Sequence, residues 1–127
     1  MIILTVDEIV ILHEKLIAAT GGAHGIRDRE LLESAVLGCY QSFGGEDLYP
    51  SVVEKAARMA FAICKNHPFI DGNKRSAVTA MLVMLRLNDI PMSFSQQELV
   101  KFGLGIANSD IDYDEIIRWI NTNRVRT

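Results

Sequence analysis

The stretch 66-NHPFIDGNKRSAVTAMLVML-85 sets unlike chemistries end to end. From His67 to Arg75 it gathers a histidine, an acid, an amide, a lysine and an arginine. From Ala77 to Leu85 only Thr79 is polar. Proline disfavours helix in the residue before it, so a helix arriving from the N-terminal side stops ahead of Pro68. Residues Pro68 to Gly72 read as a turn. A new helix begins near Asn73 and runs to about Asn88. A helix that is apolar all round belongs in the middle of a fold. The polar cluster therefore sits at the lip of a buried helix.

Working outward, the rest of the chain divides into further helices. Thr5 with Glu8 reads as a capping box, and Ile9, Leu12, Leu16 and Ile17 follow at helical spacing. Gly21-Gly22 stops that helix. Asp28 caps a second one carrying Leu31, Leu32, Ala35, Val36 and Cys39, which Gly44-Gly45 ends. Ser51 with Glu54 opens a third, which carries Val53, Ala56, Ala57, Ala60, Ile63 and Cys64. Beyond the central helix, Ser95 with Glu98 opens one reaching about Ala107. Asp112 or Asp114 caps the last, through Trp119 and Ile120. No segment alternates with period two over strand length. The expectation is an all-α, compact single-domain bundle of about six helices around a central apolar one, spanning residues 1–127.

Composition narrows the class. A chain of 127 residues is one domain by length and can bury a core without staples. A net charge of −3 and a pI near 5.5 provide no electrostatic footprint for nucleic acid. Cys39 and Cys64 lie in apolar helical patterns and read as reduced core thiols. The N-terminus carries Asp7 and Glu8 inside its apolar run and does not read as a signal peptide. No apolar run reaches the ~18 residues of a membrane span, and the expected location is cytoplasmic.

The lip itself has the chemistry of an anion site. The first N–H groups of a helix are unpaired and its dipole makes that end positive. Gly72 lets a backbone approach closely, and Lys74 and Arg75 add positive charge, so a phosphate is the expected tenant. Asp71 is either a simple N-cap or, beside a polyphosphate, a ligand for Mg²⁺. Asn73 can hold a phosphate oxygen or the metal. A histidine titrates near neutrality, so His67 can take a proton from a hydroxyl. Base, cradle and carboxylate together suit transfer of a phosphate-containing group to a hydroxyl. His13 and His24 look isolated, and no zinc-ligand spacing is evident. Phe69 reads as a plug of the turn into the core. Thr79 either faces the site or bonds back to its own helix.

The run HPFIDGNKR resembles the signature of the Doc (death-on-curing) branch of the Fic superfamily. The Fic pattern is His-x-Phe-x-Asp/Glu-Gly-Asn-Gly-Arg-x-x-Arg. Lys74 stands where that pattern has glycine and Val78 where it has the second arginine, and both departures point to Doc. Gly72 is the Fic residue where the narrower Doc form has alanine. A second stretch, 21-GGAHGIRDRELLESAV-36, resembles the N-terminal part of the same family.

The resemblance implies a Fic-like helical core and a toxin of a toxin–antitoxin pair. It implies transfer of phosphate from ATP, with Mg²⁺, to a threonine or serine hydroxyl of a translation factor of the elongation factor Tu type, halting translation. By position, His67 would be the general base and Asp71 the Mg²⁺ ligand. Asp71, Gly72, Asn73, Lys74 and Arg75 would hold the nucleotide. Residues 44–49 fall where Fic proteins carry a flap that positions the target. The family's inhibitory motif, Ser/Thr-x-x-x-Glu-Gly/Asn, is not found, so inhibition would come from an antitoxin chain whose tail folds into a groove. The alternatives are an AMP-transferase using the same groove and a non-catalytic nucleotide- or peptide-binding module.

Overall fold

The computed structural model describes residues 1–108 and 112–125. Among them are six α-helices: α1 (Val6–Thr20), α2 (Arg29–Leu37), α3 (Val52–Asn66), α4 (Asn73–Leu87), α5 (Gln96–Ala107) and α6 (Tyr113–Asn123). The fold is all-α, as the spacing of apolar residues predicts. Hydroxyl and carboxylate caps start most of them. Thr5 and Glu8 make the reciprocal capping box of α1. Asp28, Ser51, Ser95 and Asp112 each accept one backbone N–H at the head of α2, α3, α5 and α6. Ser51 and Ser95 are thus N-caps rather than the full capping boxes that their spacing to Glu54 and Glu98 predicts; the Glu54 carboxylate takes the Ser51 hydroxyl instead.

The middle of the bundle is a helix pair, α3 against α4. The α3 helix packs on α2, α4, α5 and α6, whereas α4 meets α1, α3 and α5. The more surrounded helix is therefore α3, not α4 with its apolar run from Ala77 to Leu85. Its seam is Ala56, Ala57, Ala60 and Ala62 with Met59 and Ile63, all buried. Small side chains let a neighbouring backbone come close, and the oiliness of a stretch of sequence does not reveal that. Core residues from α5 and α6, Phe102, Ile106, Ile116 and Ile120, join the same cluster as Ile9 of α1. The Trp119 ring stacks on Phe102 at 4.1 Å.

The second helix ends earlier than the glycines suggest. After Leu37 the chain makes a 3₁₀ turn, Gly38–Tyr40, and then a short antiparallel hairpin. Strands β1 (Ser42–Phe43) and β2 (Glu46–Asp47) pair through Gly44-Gly45, both at positive φ. That is the geometry of a tight two-residue hairpin turn, which only glycine-like residues adopt cheaply. Strands of this length are too short for a period-two pattern to show. The hairpin is moored from below. Lys55 of α3, 3% exposed, donates to the Asp47 carboxylate at 2.9 Å and to the Tyr49 carbonyl. Phe43 at the tip is 82% exposed.

Candidate functional site

The turn between α3 and α4 is held in an unusual shape. His67 is the C-cap of α3 at φ 48°, ψ 55°, a left-handed conformation that costs a non-glycine residue about 1–2 kcal/mol. Arg27 offsets this. Its Nε donates to the His67 carbonyl at 2.7 Å and its other arm to the Asn66 carbonyl at 2.8 Å. These are the last orphan acceptors of α3, met by a cation where the helix dipole is negative. The His67 side chain is left exposed and makes no hydrogen bond with the described residues. It is free to meet a substrate.

Residues 22–28 brace the whole turn. Ile26 bridges Phe69, and the N–H groups of Arg27 and Asp28 both donate to the Pro68 carbonyl. The Ile70 N–H donates to the Gly25 carbonyl. The Ala23 N–H donates to Asp71 Oδ2 at 3.1 Å, and the Gly72 N–H to Oδ1 at 2.8 Å. The Ala23 and Gly72 N–H groups, with Arg75 nearby, hold the Asp71 carboxyl below the usual carboxylate range. Gly22 is part of this seat. A Cβ there would lie 2.5 Å from Asp71 Oδ2 and 3.1 Å from the Arg75 guanidinium. The pair of glycines that stops α1 thus also shapes the site.

Asp71 is not the N-cap of α4. That position belongs to Gly72, at φ 75°, and no side chain caps the helix. The first N–H groups of α4 therefore remain uncapped beside Lys74 and Arg75, as an anion site requires. Glycine at 72 also leaves room for packing: a Cβ would meet Ile17 Cδ1 at 2.8 Å. Arg75 is oriented by the Thr20 hydroxyl at 2.6 Å and the Gly21 carbonyl at 2.9 Å, and stands 3.8 Å from Asp71 Oδ1.

Asn73 is placed differently from the sequence reading. Its Oδ1 accepts from the Phe69 N–H at 2.8 Å and its Nδ2 donates to the Phe69 carbonyl at 3.0 Å. Its amide closes the turn rather than standing free, and only one amide hydrogen remains to point outward. Phe69 is 1% exposed and plugs the core. Thr79 faces neither the cleft nor its own helix; it lines a groove described below.

His13 and His24 are not isolated. His24 Nδ1 and Glu14 Oε2 are 2.5 Å apart. His13 is fully buried beneath the turn, its ring stacked on Phe69 at 3.8 Å and its Nε2 2.8 Å from the Asp71 carbonyl. His13, Gly22, Arg27 and Lys55 lie outside the motif; Gly22 and Arg27 fall in the second stretch that carries the resemblance, and no local pattern marks His13 or Lys55.

His67, Ile70, Asp71, Gly72, Asn73, Lys74 and Arg75 line one open cleft of about 480 Å³. Its contents are an exposed imidazole, a carboxylate, an uncapped helix N-terminus and two cations. A separate apolar groove of about 360 Å³ runs between α1, α4 and α5, over Leu16, Val78, Thr79, Leu99, Val100 and Leu104. It adjoins a further opening along α1 through Leu16 and Thr79. Lys74 and Arg75 line both the cleft and the groove, so the two meet there.

The helical bundle thus presents an imidazole beside an uncapped, cationic helix N-terminus. The chain is a member of the Fic/DOC family, whose model matches residues 3–85. It is 33% identical over 100 residues to a protein named Toxin Doc from Mycolicibacterium smegmatis (strain ATCC 700084 / mc(2)155), over 77% of each chain. It is 29% identical over 110 residues to Protein kinase doc of Escherichia phage P1, over 87% of this chain and 86% of that one. No helix among the described residues is long and apolar enough to cross a membrane.

Proposed function

We propose that this chain is the toxin of a toxin–antitoxin pair and transfers the γ-phosphate of ATP to a threonine or serine hydroxyl of a translation factor of the elongation factor Tu type, in the cytoplasm. The carrying observation is the cleft itself: the α4 N-terminus has no side-chain cap and faces His67 across the turn. The names of the two relatives, a toxin and a protein kinase, agree with that reading.

The residues suit the chemistry in named roles. His67 accepts the proton of the attacking hydroxyl as its oxygen bonds to the γ-phosphorus and the bridging oxygen leaves with ADP. The N–H groups of α4, Lys74 and Arg75 stabilise the phosphate oxygens. Asn73 keeps the turn in shape. Among the described residues no cluster of three or more acidic, histidine or cysteine ligands is present, so an ion at Asp71 would be completed by phosphate oxygens and water. Mg²⁺ held that way would neutralise charge on the polyphosphate.

AMP transfer is the competing outcome. Its motive is Gly72, and the Ile17 contact with the left-handed backbone accounts for that glycine without reference to a ligand. Lys74 lines the cleft where the Fic pattern leaves a glycine, and its ammonium suits a terminal phosphate. The hairpin at 42–47 overlaps residues 44–49, to which the resemblance assigns a target-positioning flap.

Mass spectrometry of a target incubated with wild-type protein, ATP and Mg²⁺ decides the matter. A gain of about one phosphate is expected; the larger gain of an AMP group would overturn the reading. His67→Ala should fold and lose about 10²–10⁴-fold in rate.

A further inference from the structure

We infer that His13, outside the signature motif, is a positioning residue for Asp71 and acts by donating a hydrogen bond from Nε2 to the Asp71 carbonyl. The inference rests on the proposed phosphate transfer for its kinetic consequence, but not for its structural one.

His13 is a costly residue to keep where it is. Its side chain is wholly buried. A carbonyl oxygen only accepts, so the Nε2 contact at 2.8 Å requires the hydrogen on Nε2. In the neutral ring Nδ1 is then a bare acceptor, and it has no hydrogen-bond partner among the described residues. Glu14 Oε1, at 3.7 Å, is too far for a hydrogen bond and is itself an acceptor. A buried polar atom left unpaired destabilises the fold. Packing alone does not call for it: the ring covers Phe69 face to face, with centroids 3.8 Å apart and 5° between planes, and a phenylalanine ring would cover much of the same surface in an offset stack. What phenylalanine lacks is the donor.

That donor acts on the residue the site depends on. The Asp71 carboxylate is held from one side by the Ala23 and Gly72 N–H groups. Its backbone carbonyl is held separately by His13 of α1, 58 positions away in sequence. Supports of this outlying kind typically carry about 10–100-fold in affinity or activity. Loss of the bond lets the peptide between Asp71 and Gly72 rotate, and with it the carboxylate and the first N–H groups of α4.

Paired variants separate the ring from the donor. His13→Phe keeps the stack and loses the donor; His13→Gln loses the stack and places an amide N–H about where Nε2 lies. Stability should follow the ring: His13→Phe melts near the wild type and His13→Gln below it. Transfer should follow the donor. His13→Gln should stay within a few-fold of the wild type, and His13→Phe should fall about 10–100-fold in kcat with a raised KM for ATP. The KM for the protein target should not move. Amide exchange of the unliganded protein supplies an arm independent of activity: the Ala23 and Gly72 amides should exchange about tenfold faster in His13→Phe than in His13→Gln. If wild-type protein transfers no phosphate, the functional reading fails and the exchange arm still decides the role of His13. Activity that tracks melting temperature across the variants, or unchanged exchange in His13→Phe, overturns the inference. So does failure of both His13→Phe and His13→Leu to fold, which would make His13 a residue of the fold alone.

Discussion

Gly72 shows how a single residue serves backbone and packing together. Its φ of 75° lets the chain turn from the Asp71 seat into α4, and its missing side chain leaves room for Ile17. Gly72→Ala should lower stability by about 1–2 kcal/mol, because alanine resists the left-handed region and the Ile17 methyl has to move aside. Urea unfolding should show a lower midpoint with an unchanged slope. A midpoint equal to the wild type would mean that Ile17 yields freely and the turn relaxes. Gly22 is the companion case, since a side chain there would strike the Asp71 carboxylate itself. Cys39 and Cys64 need no such role: burial pushes both thiols up to about 11, which keeps them protonated and inert.

The hairpin between α2 and α3 is the element whose position is least its own doing. Two residues a side cannot hold a ribbon in water. What holds it is Lys55, drawn out of solvent to reach Asp47 and the Tyr49 carbonyl. Lys55→Met should change global stability by no more than about 1 kcal/mol, because the ammonium's desolvation cost disappears along with its bonds and Asp47 stays half exposed. The hairpin should loosen nonetheless. The Leu48 amide, which donates to the Gln41 carbonyl at 3.0 Å, should exchange faster, and the KM for a protein target should rise. Unaltered protection at Leu48 would show that the glycine turn alone sets the hairpin.

Across the molecule, the α1–α4–α5 groove and the phosphate cleft meet at Lys74 and Arg75. A tail that folds as an amphipathic helix could place apolar residues over Val100 and Leu104 and acidic ones on the two cations. Occupying the groove would then neutralise the cleft. Val100 is 52% exposed, so Val100→Asp should leave the fold intact while abolishing rescue of growth by a co-expressed antitoxin and complex formation on gel filtration. Rescue at the wild-type level by every variant of this groove would place the antitoxin elsewhere.

Much of this protein is written locally. The caps at Thr5, Asp28, Ser51, Ser95 and Asp112 and the breaks at Gly21 and Pro68 depend only on neighbours a few residues away, so the helices were legible from spacing. The motif from His67 to Arg75 is contiguous, and its residues do share one cleft for the same reason. Other features exist only after distant segments meet. Asn73 bonds through its amide to both backbone groups of Phe69, a geometry that the turn creates. The rank of α3 over α4 came from alanines, which carry little hydrophobicity but allow close approach. His13, Gly22 and Arg27 acquired their parts through long-range hydrogen bonds and contacts, and a bond between residues 58 apart leaves no trace in either neighbourhood. Sequence determined the helices and the polar residues of the cleft; tertiary packing alone decided how those residues are held, because the orientation of a charged side chain is set by the partners that distant segments bring to it.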